Sequence, residues 1–311
     1  MHETAATGLC PSLAMATCLT NMSRIRGLII TADDFGLHPR VNEAVERAHC
    51  EGLLTSASLM VGARAAADAI ERARRLPSLR VGLHLVLADG FATLNASRIP
   101  DLVNHAGRFG DAMVRDGIRF FFLPRVRSQL EQEIRAQFEA FAATSLPLDH
   151  VNTHKHFHLH PTVLSLVLKV GREFGMRAMR LPLEPDAPSG LRPWITLVKA
   201  RLDHHGIVHN DHVIGMTQSG QMDEAAWIRA LERLPNGVTE IYLHPAIAGE
   251  GAGPVTQSMT GYRPADELAA LVSPRVAAAM HATGAVRGGF ADIFPDAFRC
   301  PRRMENRIGT D

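Results

Sequence analysis

Six side chains in this sequence are of types that can do hydrolytic chemistry together, and five of them stand at or near the end of an apolar run, the sixth within one. Asp33 and Asp34 are adjacent in TADDFG. His84 lies inside VGLHLVL. His154 opens HKHFHLH, Arg180 stands next to last in MRAMRL, and His244 ends VTEIYLH. On a regular strand, neighbouring side chains point to opposite faces. Two adjacent carboxylates therefore share a site only where a strand ends and the backbone bends, and Gly36 permits such a bend. One carboxylate then suits a metal, and its neighbour suits taking a proton from water. The competing reading is that one Asp caps the following helix; the pair taken alone does not separate the two. A single His on an apolar strand is more often a hydrogen-bonded core residue, so His84 gains weight only beside the others. His154, His156, His158 and His160 recur at period two, which a continued strand would turn to one face. Pro161 and the helix after it cut such a strand short. His154, nearest the strand end, is the best-placed ligand. His156 and His158 are left to support or contact substrate, and a solvated His-rich loop is the competing reading.

One Asp and two His make three protein ligands, and three leave a coordination position for water, as catalytic sites require. A metal there brings the pKa of bound water toward ~7. Two imidazoles and a carboxylate lean toward zinc or another transition metal over magnesium, without fixing which divalent ion binds. His244 is placed to protonate a leaving amine, with a packing or capping role nearly as good a fit. Arg180 is placed to orient a catalytic carboxylate by paired hydrogen bonds, or is an ordinary surface arginine.

The elements that must carry these residues follow from the hydrophobic pattern. Apolar, β-branched runs at 26–32, 54–60, 80–87, 148–153, 176–181, 238–243 and 284–290 read as strands. Helical patterns occupy 39–50, 63–76, 127–143, 161–174, 191–204, 222–234, 264–271 and 274–281, several opened by Pro or followed by Gly or Pro. Residues 88–117 and 246–262 lack periodicity and read as long loops. Alternating strands and helices imply parallel βαβ units, and about seven of them imply a distorted or incomplete (β/α) TIM-like barrel in one domain, 25–291. An open doubly wound sheet is the alternative. No G-x-G-x-x-G follows the first strand, which weighs against a dinucleotide fold. Either way, the C-terminal ends of parallel strands converge on the ligand site.

Composition sets the remaining bounds. The 311 residues carry 46% hydrophobic residues and a formal charge of +1, enough for a large core and no general attraction to nucleic acid or an anionic membrane. Cys10, Cys18, Cys50 and Cys300 show no CxxC spacing, so free thiols in a reducing compartment are expected. Residues 1–24 make a poor signal peptide and are expected to be a disordered leader; 292–311 are expected to be a tail. No window approaches the ~18 apolar residues of a membrane span, and a cytoplasmic protein is the default expectation. Oligomeric state is not legible, and a homo-oligomer is compatible with the sequence.

The segments TADDFG (31–36), LLTSASLMV (53–61), VGLHLVL (81–87), DHVNTHKHFHLHP (149–161) and EIYLHPA (240–246) together resemble the YdjC-like carbohydrate deacetylases. GIRFFFLPRVRSQLEQEIRAQFEAF (117–141) and THKHFHLHPTV (153–163) are most similar to the hopanoid-biosynthesis member of that family. The resemblance implies a distorted (β/α) barrel and a divalent metal held by Asp34, His84 and His154. By similarity to metal-dependent polysaccharide deacetylases, it also implies Asp33 as general base, with His244 as a weaker carry-over as general acid. Family members commonly have SHHH where this chain has THKH, so Lys155 stands in place of the second histidine. The implied substrate is a glycan or glycolipid, with N-acetylglucosaminyl bacteriohopane polyol for the hopanoid member. Chitooligosaccharide deacetylation, a metal-dependent esterase or phosphoesterase, and a non-catalytic glycan- or lipid-binding protein are the rivals. Peripheral membrane contact would accompany a hopanoid substrate. IRFFFL (118–123) suits a lipid tail, and equally suits a buried hydrophobic segment or strand.

Overall fold

The computed structural model describes residues 26–185, 189–249 and 255–299. The expected leader and the tail from residue 300 onward lie outside these. Seven parallel strands are present among the described residues: β1 (Gly27–Phe35), β2 (Ser56–Leu59), β3 (Arg80–Leu85), β4 (Val151–Thr153), β5 (His212–Ile214), β6 (Val238–Leu243) and β7 (Val286–Arg287). They run in the order β4-β3-β2-β1-β6-β5, with β7 beside the start of β1.

The expected strand at 176–181 is present as single bridges. Val151 pairs with Met179, and Ala178 with Val208. Val151 N–H donates to Ala178 O and Arg180 N–H to Val151 O (3.0 and 3.1 Å); on the other side, Met179 N–H donates to Val208 O and Val213 N–H to Leu183 O (3.0 and 2.9 Å). This segment therefore connects β4 to β5 and completes the ring. The fold is the distorted TIM-like barrel expected from the pattern, and the open doubly wound alternative is set aside. The short strand at 212–214 had no periodic signal to announce it. The strand expected over 284–290 is reduced to two residues, because Phe290 begins a helical turn that enters the barrel.

Helices cover the outside: α1 (Pro39–Cys50), α2 (Ala66–Arg75), α3 (Met113–Phe122), α4 (Pro124–Ala143), α5 (Pro161–Glu173), α6 (Arg192–His204), α7 (Glu224–Glu232), α8 (Pro264–Leu271) and α9 (Pro274–Ala282). The short turns α10 (Phe290–Ile293) and α11 (Pro295–Phe298) follow. Helix α3 occupies the end of what the sequence presented as loop and lipid-facing segment. The strand period of two sorts side chains by layer. Leu28, Ile30 and Ala32 of β1, Ala57 and Leu59 of β2, Val81 and Leu83 of β3, and Ile241 and Leu243 of β6 face outward into the main core against the helices. Their alternates face inward. At the bottom, Ile29, Ala178 and Phe290 form a separate apolar plug. Above it the lining is polar: Thr31 and Asp33, Ser58, His150 and Asn152, Arg180 and Glu240 are all buried. Gly82 is required there, because a Cβ at that position would meet the His150 ring at 2.5 Å. His150 bonds Ser58 Oγ (2.9 Å) and Asp149 (2.9 Å), closing its side of the network.

Candidate metal and catalytic site

Strand β1 runs through Phe35, further than the pattern suggested, with an irregular register against β2 between Ala32 and Phe35. The reason is Asp34 itself, whose φ of 63° places it in the left-handed region, followed by Gly36 at 97°. A non-glycine residue there costs on the order of 1–2 kcal/mol, and its effect is to bring two consecutive carboxylates into one site. Neither Asp is a helix cap. His38 caps α1, its Nδ1 accepting from Arg40 N–H at 3.0 Å.

Asp34, His84 and His154 converge, their ligand atoms all within 4.8 Å of one another. Asp34 Oδ1 lies 3.3 Å from His84 Nε2 and 3.2 Å from His154 Nδ1, and the two ring nitrogens are 3.4 Å apart. Asp34 is buried, yet neither of its oxygens meets hydrogen-bonding geometry. A buried carboxylate left so costs free energy unless something else compensates it. For bonds of about 2.0–2.1 Å, the edge of a tetrahedral coordination shell is roughly 3.3 Å, so these spacings and this donor set fit a divalent cation. Burial opposes ionisation of Asp34, but the close approach of His154, and of His84 beside it, outweighs it and holds its carboxyl well below the usual range.

The tautomer of His84 follows from its partners. Asn152 Nδ2 donates to Asp33 Oδ1 (3.0 Å) and Ser58 Oγ (2.9 Å), so its Oδ1 is the acceptor that faces His84 Nδ1 at 2.6 Å. His84 Nδ1 therefore carries the proton, and Nε2 turns its lone pair to Asp34. This is the outer support that metal-binding histidines ordinarily have.

Asp33 sits beside the triad with a different set of partners. Arg180 grips it in a fork, Nη1 to Oδ2 at 2.6 Å and Nη2 to Oδ1 at 3.0 Å. The same guanidinium donates to Glu240 through Nε (2.9 Å) and Nη2 (2.8 Å), and Thr31 Oγ1 donates to Glu240 Oε1 at 2.7 Å. Arg180 is completely buried, and is therefore not a surface arginine. Burial raises the Asp33 pKa, but the Arg180 charge and its paired hydrogen bonds outweigh it and hold the carboxyl far below its usual range. Burial likewise opposes the Arg180 charge, and Asp33 and Glu240 overcome that to drive its pKa further up.

The histidine run does not continue as a strand. Beyond Thr153 it turns tightly, with Lys155 and His156 both left-handed (φ 55° and 52°). The four histidines diverge as a result. His154 meets Asp34. His156 Nε2 pairs with Tyr242 OH at 3.1 Å, and His158 Nδ1 with Thr153 Oγ1 at 2.7 Å. His160 packs against Phe120 and Phe157. Burial lowers the His156 pKa well below normal and takes that of His158 to about 3, so both rings are neutral.

A cavity of about 260 Å³ opens over the triad, lined by Asp33, His84, His154, Lys155, His156, Tyr242, His244 and Tyr262 among others. His244 follows β6. Its backbone N–H donates to Glu267 Oε2 (2.6 Å), its ring lies between Tyr242 and Tyr262, and its Nδ1 has no hydrogen-bond partner. Lys155 Nζ lies 2.9 Å from Asp89 at the rim. Sequence reasoning missed Asn152, Glu240, Tyr242 and Tyr262. Glu240 had a signal, a charge in the middle of an apolar strand. Asn152 had one too, two residues before His154 on the inward face. Tyr262, in an aperiodic segment, had none.

Fold and site together define a single-domain parallel (β/α) barrel with a candidate cation site at the C-terminal strand ends. The family model described as YdjC-like protein matches residues 27–282, and the chain belongs to that family. Similar proteins include a carbohydrate deacetylase of Brevibacillus brevis, 33% identical over 72% of this chain and 82% of that protein. Another, from Geobacillus stearothermophilus, is 31% identical over 83% and 94% respectively. A carbohydrate deacetylase of Mus musculus is 32% identical over 82% of this chain and 90% of its own length. In fold, the chain is similar to an Enterococcus faecalis protein described provisionally as a cellobiose-phosphate cleavage protein, with a TM-score of 0.70 at 23% identity, covering 87% of this chain and 99% of that one.

Proposed function

We propose that this protein is a metal-dependent carbohydrate deacetylase that hydrolyses the N-acetyl group of an amino sugar. The observation that carries the reading is the buried, unpartnered Asp34 carboxylate facing His84 Nε2 and His154 Nδ1, with the ionised Asp33 beside it. The relatives' names support the reaction class. Asp34, His84 and His154 would hold the cation, which when bound acidifies water and polarises the acetamide carbonyl.

The remaining work falls to the chain's own groups. Asp33, kept ionised and fixed in orientation by Arg180 and Asn152, accepts the proton of the attacking water. The water oxygen joins the acetyl carbon, the carbon–nitrogen bond breaks, and the proton taken up by Asp33 is returned to the departing nitrogen, relayed by water or by the pocket-facing ring of His244, which burial holds toward its neutral form. Acetate and the free amine are the products. The left-handed turn at Lys155 and His156 sets part of the pocket wall, and the Tyr242 ring lies over the Arg180 guanidinium at 4.5 Å.

The substrate we favour is an N-acetylglucosaminyl group on a bacteriohopane polyol, supported by the resemblance of 117–141 and 153–163 to the hopanoid-biosynthesis member of the family. The test offers metal-loaded protein that hopanoid and N,N′-diacetylchitobiose in parallel and follows acetate release by mass spectrometry. Release from the hopanoid alone supports the whole reading, and release from chitobiose alone keeps the reaction while removing the lipid. No release from either, with metal bound, overturns the deacetylase.

A further inference from the structure

Among the described residues eight large apolar side chains are exposed, and five of them fall within ten residues of chain: Val114 (82%), Ile118 (57%), Phe121 (48%), Phe122 (68%) and Leu123 (46%). Isolated exposed apolar residues are ordinary, but a contiguous set marks an interaction surface. The helical period places Val114, Ile118, Phe121 and Phe122 within an arc of about 100° on α3. The opposite face is already used. Gly117 and Phe120 are buried there, with Phe120 against Phe157 and His160. Gly117 makes that approach close, since a Cβ would lie 3.2 Å from the His160 ring. Helix α3 thus packs on the segment that carries His154 and His156, and its apolar face is at the same end of the barrel as the site.

The charges beside this face are of one dominant sign. Residues 113–127 hold four arginines and a single carboxylate, in a chain whose total is only +1. Arg115 and Arg119 follow one edge of the apolar arc and share Asp116 (3.2 and 3.3 Å). Arg125, 76% exposed, also reaches Asp101 at 2.8 Å. Arg127 donates to the Phe120 and Phe121 carbonyls and so caps the end of α3. Even with these pairings the cations outnumber the carboxylates.

We infer that α3 and the turn after it dock on an anionic lipid surface, with the phenylalanines entering the headgroup boundary and the arginines meeting lipid phosphates. Apolar side chains on one arc with arginines along its edge are the pattern of helices that lie in a membrane interface. A second copy of this chain is the poorer occupant. A two-fold contact would set the same arginines against themselves. The inference does not rest on the deacetylase reading, because binding is measured without turnover.

The test is flotation of the full chain with vesicles of phosphatidylcholine alone and of phosphatidylcholine with about 30% phosphatidylglycerol, for wild type and Ile118→Ser/Phe122→Ser. Both positions are exposed, so the variant keeps its fold, checked by its unfolding midpoint. Wild type is expected to bind the anionic vesicles, more weakly at high salt, and the variant at least tenfold more weakly. No vesicle binding, or equal binding by the variant, overturns the proposal. So does a wild-type dimer in sedimentation equilibrium that the same variant dissolves, which would assign the face to a second copy.

Discussion

Replacing Arg180 by Met tests the buried charge cluster most directly. The guanidinium makes four hydrogen bonds to two carboxylates, all at 3.0 Å or less, with no exposed surface. Met fills much of the same volume, so the principal loss is the cation, and the buried Asp33 and Glu240 carboxylates are left without their shared partner. Removing one member of a buried ionic group costs about 3–5 kcal/mol. Domains have only about 5–15 kcal/mol in total, so ~4 kcal/mol is a large share, and at ~2 °C per kcal/mol for a chain of this length the midpoint falls by roughly 8 °C. Glu240→Gln keeps the Arg180–Asp33 fork and gives up one charged acceptor, for about 2 kcal/mol. The double variant removes a cation and an anion together, so its loss is less than the sum of the two, with a coupling of ~2 kcal/mol. Urea unfolding under chelator measures all four corners without a contribution from metal binding. A loss below ~1 kcal/mol in Arg180→Met, or strict additivity in the cycle, would refute the argument that this cluster is an interdependent unit.

Other outcomes follow from the site and its supports. Asp33→Asn should keep stoichiometric metal while turnover falls by about 10²–10⁴; His154→Ala should lose both, and elemental analysis beside acetate release separates the two cases. Glu267 should make the fold less stable as pH rises. Burial raises its folded pKa to about 7, so between its unfolded value near 4.5 and 7 the folded state holds the extra proton, and about 3 kcal/mol present at the acid end is lost by pH 7 and above. Glu267→Gln should flatten that slope, and parallel slopes in the two proteins would disprove the assignment. Gly82→Ala places a methyl 2.5 Å from the His150 ring, so a loss of about 1–3 kcal/mol is expected in chemical unfolding; a neutral result would mean that the ring moves aside freely.

The barrel was legible because most of its strands are apolar on the outward face and end in polar residues. The pattern at 238–243 and the helices at 264–271 and 39–50 coincide with the observed elements. What escaped was set by tertiary contacts. Residues 176–181 pair by single bridges, and 212–214 becomes a strand only because β6 lies beside it. The candidate ligands were legible as metal-competent types at strand ends, but the means of bringing Asp33 and Asp34 together was not. Gly36 suggested a bend, and the larger departure from strand geometry is at Asp34, which no propensity foretells. The divergence of the four histidines was hidden for the same reason, since two consecutive left-handed residues erase the period of two. IRFFFL carried both of its readings at once. As a helix, it buries Phe120 and exposes Phe121 and Phe122.

The single bridges at Met179 and Val208 have a mechanical consequence. Where a cylinder of strands is held along one line by so few ladder bonds, that line is its weakest stave joint, and transient gaps open there first. Arg180 belongs to the loose stave, and its guanidinium reaches across the interior to β1 and β6 on the opposing wall. The same fork that aims Asp33 is therefore a spoke that tensions the hoop. The backbone tie on the Val208 side and the guanidinium tie to Asp33 thus hold the same segment, one from its edge and one from the interior.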